Sequence, residues 1–367
     1  MDKKTLRYTL ALTLVPGIGT VTGKKLINVC GNAENVFTRS QEMLKPYPRL
    51  YHLIRNAGGD KEIWKRADEE VRFIEKYNLK VLCFGGKDYP FRLSQCYDAP
   101  VILFYKGHAD LDAGRIIGIV GTRNATDYGK KITMELIRGM MNENPLIISG
   151  LACGIDSHAH RVALECGLDT VGVLGHGLDR IYPFTNQKLA EKMIRQGGLL
   201  TEFFSQTKPD RENFPQRNRI IAGLCDAIIV IEAAEQGGAL ITADIANSYD
   251  REVFAVPGRL GDKYSEGCNI LINTNLARLA LNAGDILETM QWKEPGKKPA
   301  CQPRLFITLT RDEKTIVELL GKEGDLGIDE IGRKSELPVN KVSAALLNLE
   351  LENVVRCKPG KIFSLMP

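Results

Sequence analysis

Apolar residues recur at helical intervals through the first 75 positions. Leu6, Leu10 and Leu14, then Leu26 and Val29, keep a spacing of three to four residues, and Pro16-Gly17-Ile18-Gly19 separates the two runs. Trp64, Ala67, Val71 and Ile74 continue such a face. This period predicts helices that each bury one stripe, with a turn at the glycine-containing break. Near residue 80 the pattern changes. Short β-rich runs occupy residues 81–84, 101–105, 116–120, 146–149, 170–174, 199–202, 227–231 and 253–256. From Ile116 onward most are separated by helix-length segments, the alternation that βαβ units require. Ile228-Ile229-Val230-Ile231 is apolar at every position, as suits a parallel strand covered on both faces. The expected fold class is α/β: a doubly wound, extended Rossmann-like parallel sheet over residues 76–290, preceded by a helical domain over residues 1–75.

Residues 291–304 contain Pro295, Gly296, Lys297, Lys298, Pro299 and Pro303 and read as a linker. Over residues 305–367 three helix-like segments, the last from about 339 to 349, precede strand-like runs at 354–357 and 361–365 that flank Pro359-Gly360. That order predicts a winged helix-turn-helix. Its last helix has Lys341 as its one basic residue, and the charges over 305–367 nearly cancel, so a protein-contacting or accessory role is expected rather than the main DNA-reading one.

Composition narrows the function classes. The 367 residues allow two or three domains. Lys and Arg number 49 against 45 Asp and Glu, a net charge of +4, so a nucleic-acid partner is compatible but any basic surface must be local. The 9 cysteines form no Cys-x-x-Cys pair, which suggests a reducing cytoplasm and argues against structural zinc. No apolar run reaches the roughly 20 residues of a membrane span. Lys3-Lys4 ahead of an apolar stretch faintly resembles a signal peptide, but it lacks a cleavage pattern and runs into the glycine turn, so it reads as a helix.

The candidate chemistry lies in loops that follow strands. Gly121-Thr122-Arg123 follows the run ending at Val120, where a doubly wound fold binds phosphate. Gly121 permits close approach of a ligand, Thr122 adds a hydroxyl and Arg123 a charged fork. Gly-x-Gly-x-x-Gly is absent, and the next strand ends in Ser149-Gly150 rather than an acidic residue, which disfavours a dinucleotide. Ser149-Gly150 opens a second small-residue loop. Ile147 takes the place of the first glycine of a nucleophile elbow, so a serine hydrolase is disfavoured. His158 and His160 lie two apart and share no helix face, so a metal site is disfavoured; a cap by Asp156 and structural hydrogen bonds from the histidines are expected instead. The loop from Gly175 to Pro183 precedes a helix carrying Asn186 and Lys188. Arg217-Asn218-Arg219, just after Pro215, sets two guanidiniums around an amide at a helix start, suited to phosphate or to a solvated surface. Gly237-Gly238 supplies a last phosphate-friendly turn. Together these loops predict one extended anionic ligand. Near the N-terminus, residues 16–25 lack the spacing and the hydroxyl of a Walker A loop and read as a helix-hairpin-helix (SAM-like) unit, which either offers backbone N–H groups to DNA or serves as packing.

These segments resemble the DNA-processing protein A (DprA/Smf) family, known from natural transformation. The resemblance rests on Gly121-Thr122-Arg123 through Tyr128-Gly129, and on Ser149-Gly150-Leu151-Ala152 through Gly154-Ile155-Asp156 with Ala159-His160. It also rests on Gly177-Leu178-Asp179 through Tyr182-Pro183, Phe214-Pro215 through Gly223, Gly238 through Ala243, and residues 251–258. Thr122 stands where the family often has Ser, and Cys153 where many members have Arg, which removes one phosphate contact. The resemblance implies a cytoplasmic, non-catalytic protein without a cofactor. It implies binding and protection of single-stranded DNA, homodimerisation through the α/β domain, and loading of the RecA recombinase onto DNA. The expected DNA-binding residues are Gly121, Thr122, Arg123, Ser149, Gly150, Asn186, Lys188, Arg217, Asn218, Arg219, Gly237 and Gly238. The alternative is a nucleotide or phosphoribosyl hydrolase of a related fold. Ala239-Leu240-Ile241-Thr242 after Gly237-Gly238 lacks the Gly-Thr and Glu of such enzymes.

Overall fold

The computed structural model describes residues 2–292, 309–352, 354–358 and 362–365. It contains two compact units, Met1–Glu294 and Pro295–Pro367. The expected linker over 291–304 lies outside the described residues from 293 onward. Among the described residues no helix is long and apolar enough to cross a membrane.

The first unit opens with helices α1 (Lys3–Leu14), α2 (Thr20–Cys30), α3 (Ala33–Thr38), α4 (Ser40–Met43), α5 (Pro48–Gly59) and α6 (Lys61–Tyr77). Helix α6 starts where the Asp60 side chain accepts the Glu62 N–H and stops at Asn78, whose left-handed φ of 49° ends the helix. Between those caps Ile63, Ala67, Val71 and Ile74 recur at helical spacing and are buried. The helices share a core with Ile102 and Phe104 of the sheet, so they are not a free-standing domain but pack on its edge. The helix-hairpin-helix turn serves this packing. Lys24 is buried and donates to the carbonyls of Cys96 and Tyr97 at 3.2 and 2.8 Å.

The remainder of this unit runs β1 (Lys80–Cys83), α7 (Phe91–Ser94), β2 (Ile102–Gly107), β3 (Ile116–Val120), α8 (Asp127–Met140), β4 (Leu146–Ser149) and α9 (Ile155–Glu165). It continues through β5 (Thr170–Val173), α10 (Gln187–Arg195), β6 (Gly197–Thr201), α11 (Asn213–Leu224), β7 (Ala227–Val230) and α12 (Gly238–Ser248). It closes with β8 (Glu252–Ala255), α13 (Glu266–Asn273), β9 (Arg278–Leu279) and α14 (Ala283–Thr289). The sheet order is β1-β2-β6-β5-β4-β3-β7-β8-β9. Pairing is parallel from β6 through β9, and β2 joins β6, and β1 joins β2, antiparallel. Strands β3, β4 and β7 are buried at every residue because helices cover both faces, which is why they read as uninterrupted apolar runs. The chain winds from β3 towards β4, β5 and β6 on one side and towards β7, β8 and β9 on the other. The β3/β7 boundary is therefore the switch point at which such sheets open a crevice beyond their carboxyl ends.

The second unit holds α15 (Arg311–Glu323), β10 (Leu326–Gly327), α16 (Ile328–Ser335), α17 (Val339–Leu351), β11 (Val355–Lys358) and β12 (Ile362–Leu365). This is the expected winged-helix order, with β10 as an added strand that the sequence reading did not contain. Ile316, Leu320, Ile331, Val342, Leu346 and Leu349 fill its core. Lys341, the one cation of α17, lies 3.4 Å from Asp312 of α15 in a solvent-exposed ion pair.

Candidate nucleic-acid interface

A cleft of about 650 Å³ opens at the switch point. The β3–α8 loop (Gly121, Thr122, Arg123), the β4–α9 loop (Ala152), α11 with its approach (Arg211, Phe214, Asn218) and the β7–α12 turn (Gln236, Gly237, Gly238) line it. The expected convergence of strand-end loops is thus present. The side chains divide into an open set and a structural set.

Arg123 belongs to the open set. It is exposed, and its guanidinium lies 5.1 Å from the Phe214 ring centroid. Tyr182, 47% exposed, stands 6.3 Å from the same ring. A planar cation over an aromatic keeps its N–H edge free while its position is held. The loop beneath is rigid. Thr122 N–H donates to the Glu232 carbonyl at 2.8 Å, and the Thr122 carbonyl accepts Ile155 N–H at 3.2 Å. The buried Glu232 carboxylate accepts the Thr126 N–H at 3.0 Å and the Thr126 hydroxyl, so the first turn of α8 is already satisfied from within the protein. Gly129 has to be glycine there, because a Cβ would meet Glu232 Oε2 at 2.2 Å. By contrast α12 begins after Gly237 with no side-chain cap, and Gly237 and Gly238 line the cleft, a helix start suited to an anion. Asn218 holds this turn through a 3.4 Å hydrogen bond to the Gly238 carbonyl. Exposed Arg211 completes the rim.

Arg217 corrects the sequence reading. An open phosphate fork was expected, but Arg217 is 4% exposed and its Nη1 donates to the carbonyls of Gly150 and Val173. Asp156 is buried beside it. Burial raises the Asp156 carboxyl above its usual range and Arg217 counteracts this, while burial lowers Arg217 to about 10, still cationic at neutral pH. Gly150 accommodates the pair: a Cβ would meet Arg217 Nη1 at 2.2 Å and Asp156 Oδ2 at 2.6 Å. Arg217 therefore ties together the ends of β4 and β5 and the start of α9.

Three further expected site residues are also internal. Ser149 is fully buried and donates to the Ile119 carbonyl. Asn186 is buried and donates to the Leu151 carbonyl at 3.0 Å, fixing the loop after β4. Arg219 projects to the far side of α11, where it binds the Asp98 carbonyl and Glu202. Lys188 is exposed on the first turn of α10, outside the cleft lining. The histidines are structural: His160 Nδ1 lies 2.7 Å from Thr170 Oγ1, and burial lowers its pKa to about 3, so it stays neutral. His158 Nε2 faces the Lys130 carbonyl at 3.0 Å. Among the described residues no group of three or more His, Cys, Asp or Glu is placed to hold a metal. The expected set omitted Arg211, Phe214, Tyr182 and Gln236. For Arg211 and Phe214 the signal was a single aromatic set between Arg211 and Arg217, a pairing suited to stacking a base and holding a phosphate; Tyr182 and Gln236 had no such signal.

The chain is similar to proteins of one family. The family model described as DNA recombination-mediator protein A matches residues 80–291, and that of the DprA winged helix domain matches residues 302–361. A Synechocystis protein named Smf is 32% identical over 96% of this chain and 97% of its own length. The DNA processing protein DprA of Bacillus subtilis is 42% identical over 59% of this chain and 75% of its own. Among solved structures, DNA processing protein A of Streptococcus pneumoniae superposes with a TM-score of 0.63 at 33% identity, over 77% of this chain and 97% of that one. That of Helicobacter pylori, described for its single-stranded DNA binding mode, gives 0.53 at 29% identity, over 58% and 95%.

Proposed function

The chain belongs to the DNA recombination-mediator protein A family, and from that premise we propose that it is a non-catalytic protein that binds single-stranded DNA along the switch-point cleft. One observation carries the proposal: an exposed guanidinium, Arg123, is held against the Phe214–Tyr182 aromatic pair at the mouth of a cleft that ends on the uncapped start of α12. Phosphates suit the Arg123 and Arg211 forks and the Gly237-Gly238 N–H groups, and bases suit the aromatic faces. Phosphate and stacking contacts carry no base-edge readout, so little sequence preference is expected. The hydrolase alternative lacks support, because Ser149, Asp156, Glu232 and His160 are each buried and the polar atoms described above are engaged within the protein.

Protection of the strand, cytoplasmic location and loading of RecA extend this reading on the strength of the family resemblance. Homodimerisation has one local support. Ile270, Leu276, Leu279 and Leu281 are each at least 42% exposed around edge strand β9, an apolar margin suited to a two-fold partner.

Fluorescence anisotropy with an unstructured oligonucleotide and the matching duplex tests the proposal. The single strand should bind more tightly, with an affinity that falls steeply as salt rises. Equal affinity for duplex, or a flat salt response, removes the reading. Release of free base from nucleoside monophosphates restores the hydrolase. Because α17 carries Lys341 as its one cation, a chain ending at Arg304 should keep most of the single-strand affinity, and loss of binding by that chain while circular dichroism shows it folded assigns DNA reading to α17.

A further inference from the structure

The charge of this protein is unevenly placed. Residues 1–77 hold 14 Lys and Arg against 9 Asp and Glu, a net +5, whereas the whole chain is +4. The helical segment therefore carries all of the excess positive charge, and the residues after it are net −1. Some of these cations are committed internally, Lys24 to the Cys96 and Tyr97 carbonyls and Arg66 to Glu70 and the Ser205 carbonyl. Others converge on an open groove of about 570 Å³ between α1 and α6, lined by Arg7, Tyr8, Lys61, Trp64, Lys65, Asp68 and Arg72.

The acidic complement of this groove is largely spent. Asp68 accepts both arms of the Arg7 fork, at 2.5 and 3.0 Å. Glu62 reaches Lys65 only at 3.8 Å, with both side chains well exposed. Lys61, Lys65 and Arg72 are exposed along one side of α6 at near-helical spacing. The groove also has an aromatic floor. Trp64 packs edge-on against Tyr8 and Phe37, with ring centroids 5.3 and 5.1 Å apart, and Arg7 lies 4.6 Å from its ring. A half-buried indole under Arg7, with Lys61, Lys65 and Arg72 lining the same groove, has the composition of a surface that tracks a phosphate backbone and stacks bases.

Its position connects it to the cleft. Glu70 of α6 accepts the Ser205 N–H at 3.0 Å and the Ser205 hydroxyl at 2.6 Å, and Arg66 adds the bond to the Ser205 carbonyl. Ser205 belongs to the segment that leaves the carboxyl end of β6 and runs through exposed Lys208 to Arg211 and Phe214 at the cleft rim. Helix α6 is thus anchored at the same end of the sheet as the cleft, with a basic residue between them.

We propose that the α1–α6 groove is a second binding site for single-stranded DNA, engaging the phosphates of a strand that extends beyond the switch-point cleft through Lys61, Lys65 and Arg72, with Trp64 as its stacking surface. This rests on the proposed function, and oligonucleotide length separates the two. A strand of on the order of 5 nucleotides is short enough to occupy the cleft alone, whereas one of about 30 can reach the groove. In the full-length protein the variant Lys61→Gln/Lys65→Gln/Arg72→Gln should keep the short-strand affinity and the thermal transition. It should lose long-strand affinity, and the slope of log affinity against log salt should fall by about 2, at roughly 0.7 per phosphate released on single strands. Lys61→Arg/Lys65→Arg should behave as wild type. In a Trp292→Phe background Trp64 is the single tryptophan, and its emission should change with the long strand only. Wild-type affinity and salt slope for the long strand in the triple variant overturn the proposal. So does a loss confined to duplex DNA, or an unchanged Trp64 emission. If instead Arg123→Ala leaves both lengths bound as before, the cleft reading itself has failed and the groove proposal falls with it.

Discussion

Arg217→Ala should lower the stability of the first unit by about 3–5 kcal/mol, the range for leaving a buried charge without its compensating partner. At this chain length that corresponds to a fall in melting temperature on the order of 10 °C. The substitution leaves three groups without their partner at once: the Gly150 and Val173 carbonyls and the Asp156 carboxyl, which is already raised by burial. Each belongs to a buried residue, so each bears a desolvation cost once the guanidinium is gone. Arg217→Met should behave similarly, because it keeps the volume but not the donors. Adding Asp156→Asn to Arg217→Met should recover part of the loss, since the remaining buried acid is then neutral, and a double-mutant cycle measures that coupling. Thermal unfolding followed by circular dichroism is the readout. Should Arg217→Ala melt with the wild type while losing DNA affinity, the guanidinium contacts phosphate after all and its structural assignment is wrong.

The opposite behaviour is expected at Arg123, two strand ends away. Arg123→Ala should leave the melting temperature within about 1 °C, because the side chain is exposed and the loop is held by backbone bonds through Thr122 and Glu232. Single-strand affinity should drop by a factor on the order of 10 to 100. That is the equivalent of the roughly 1.5–3 kcal/mol that a charge-assisted hydrogen bond supplies. Arg123→Lys should recover only part of it, since an ammonium keeps the charge but loses both the planar fork and the stack on Phe214. Anisotropy titrations at fixed salt give the ratio. Wild-type affinity in Arg123→Ala would show that the strand does not cross the mouth of the cleft.

The contrast between these two arginines shows where sequence reading stopped. Helices, strands and their order follow from periodicities within ten or so residues: the buried stripe of α6, the unbroken apolar runs of β3 and β7, the glycine-terminated strand ends. Local backbone geometry sets those patterns, so they were legible without a fold, as was the winged-helix order of α15 to β12. The short strands β9 and β10 were not, because two residues carry no period.

Which strand-end residues are open was decided by partners far along the chain. Arg217 meets carbonyls 67 and 44 residues away, Ser149 one 30 residues away, and Arg219 turns towards Asp98 at a separation of 121. A helix start rich in arginine is compatible with an internal strut or with a phosphate fork, and only the neighbouring strands choose between them. The same holds for the groove on α1 and α6, whose Arg7 and Tyr8 stand more than 50 residues from Lys61, Lys65 and Arg72 in sequence and join them only when the helices pack. The sequence by itself determined the elements, their order and the location of the chemistry at the carboxyl ends of the strands. The tertiary structure alone decided which charges face solvent and which are buried, because the free energy of a charge depends on the water and dipoles around it, and folding sets both.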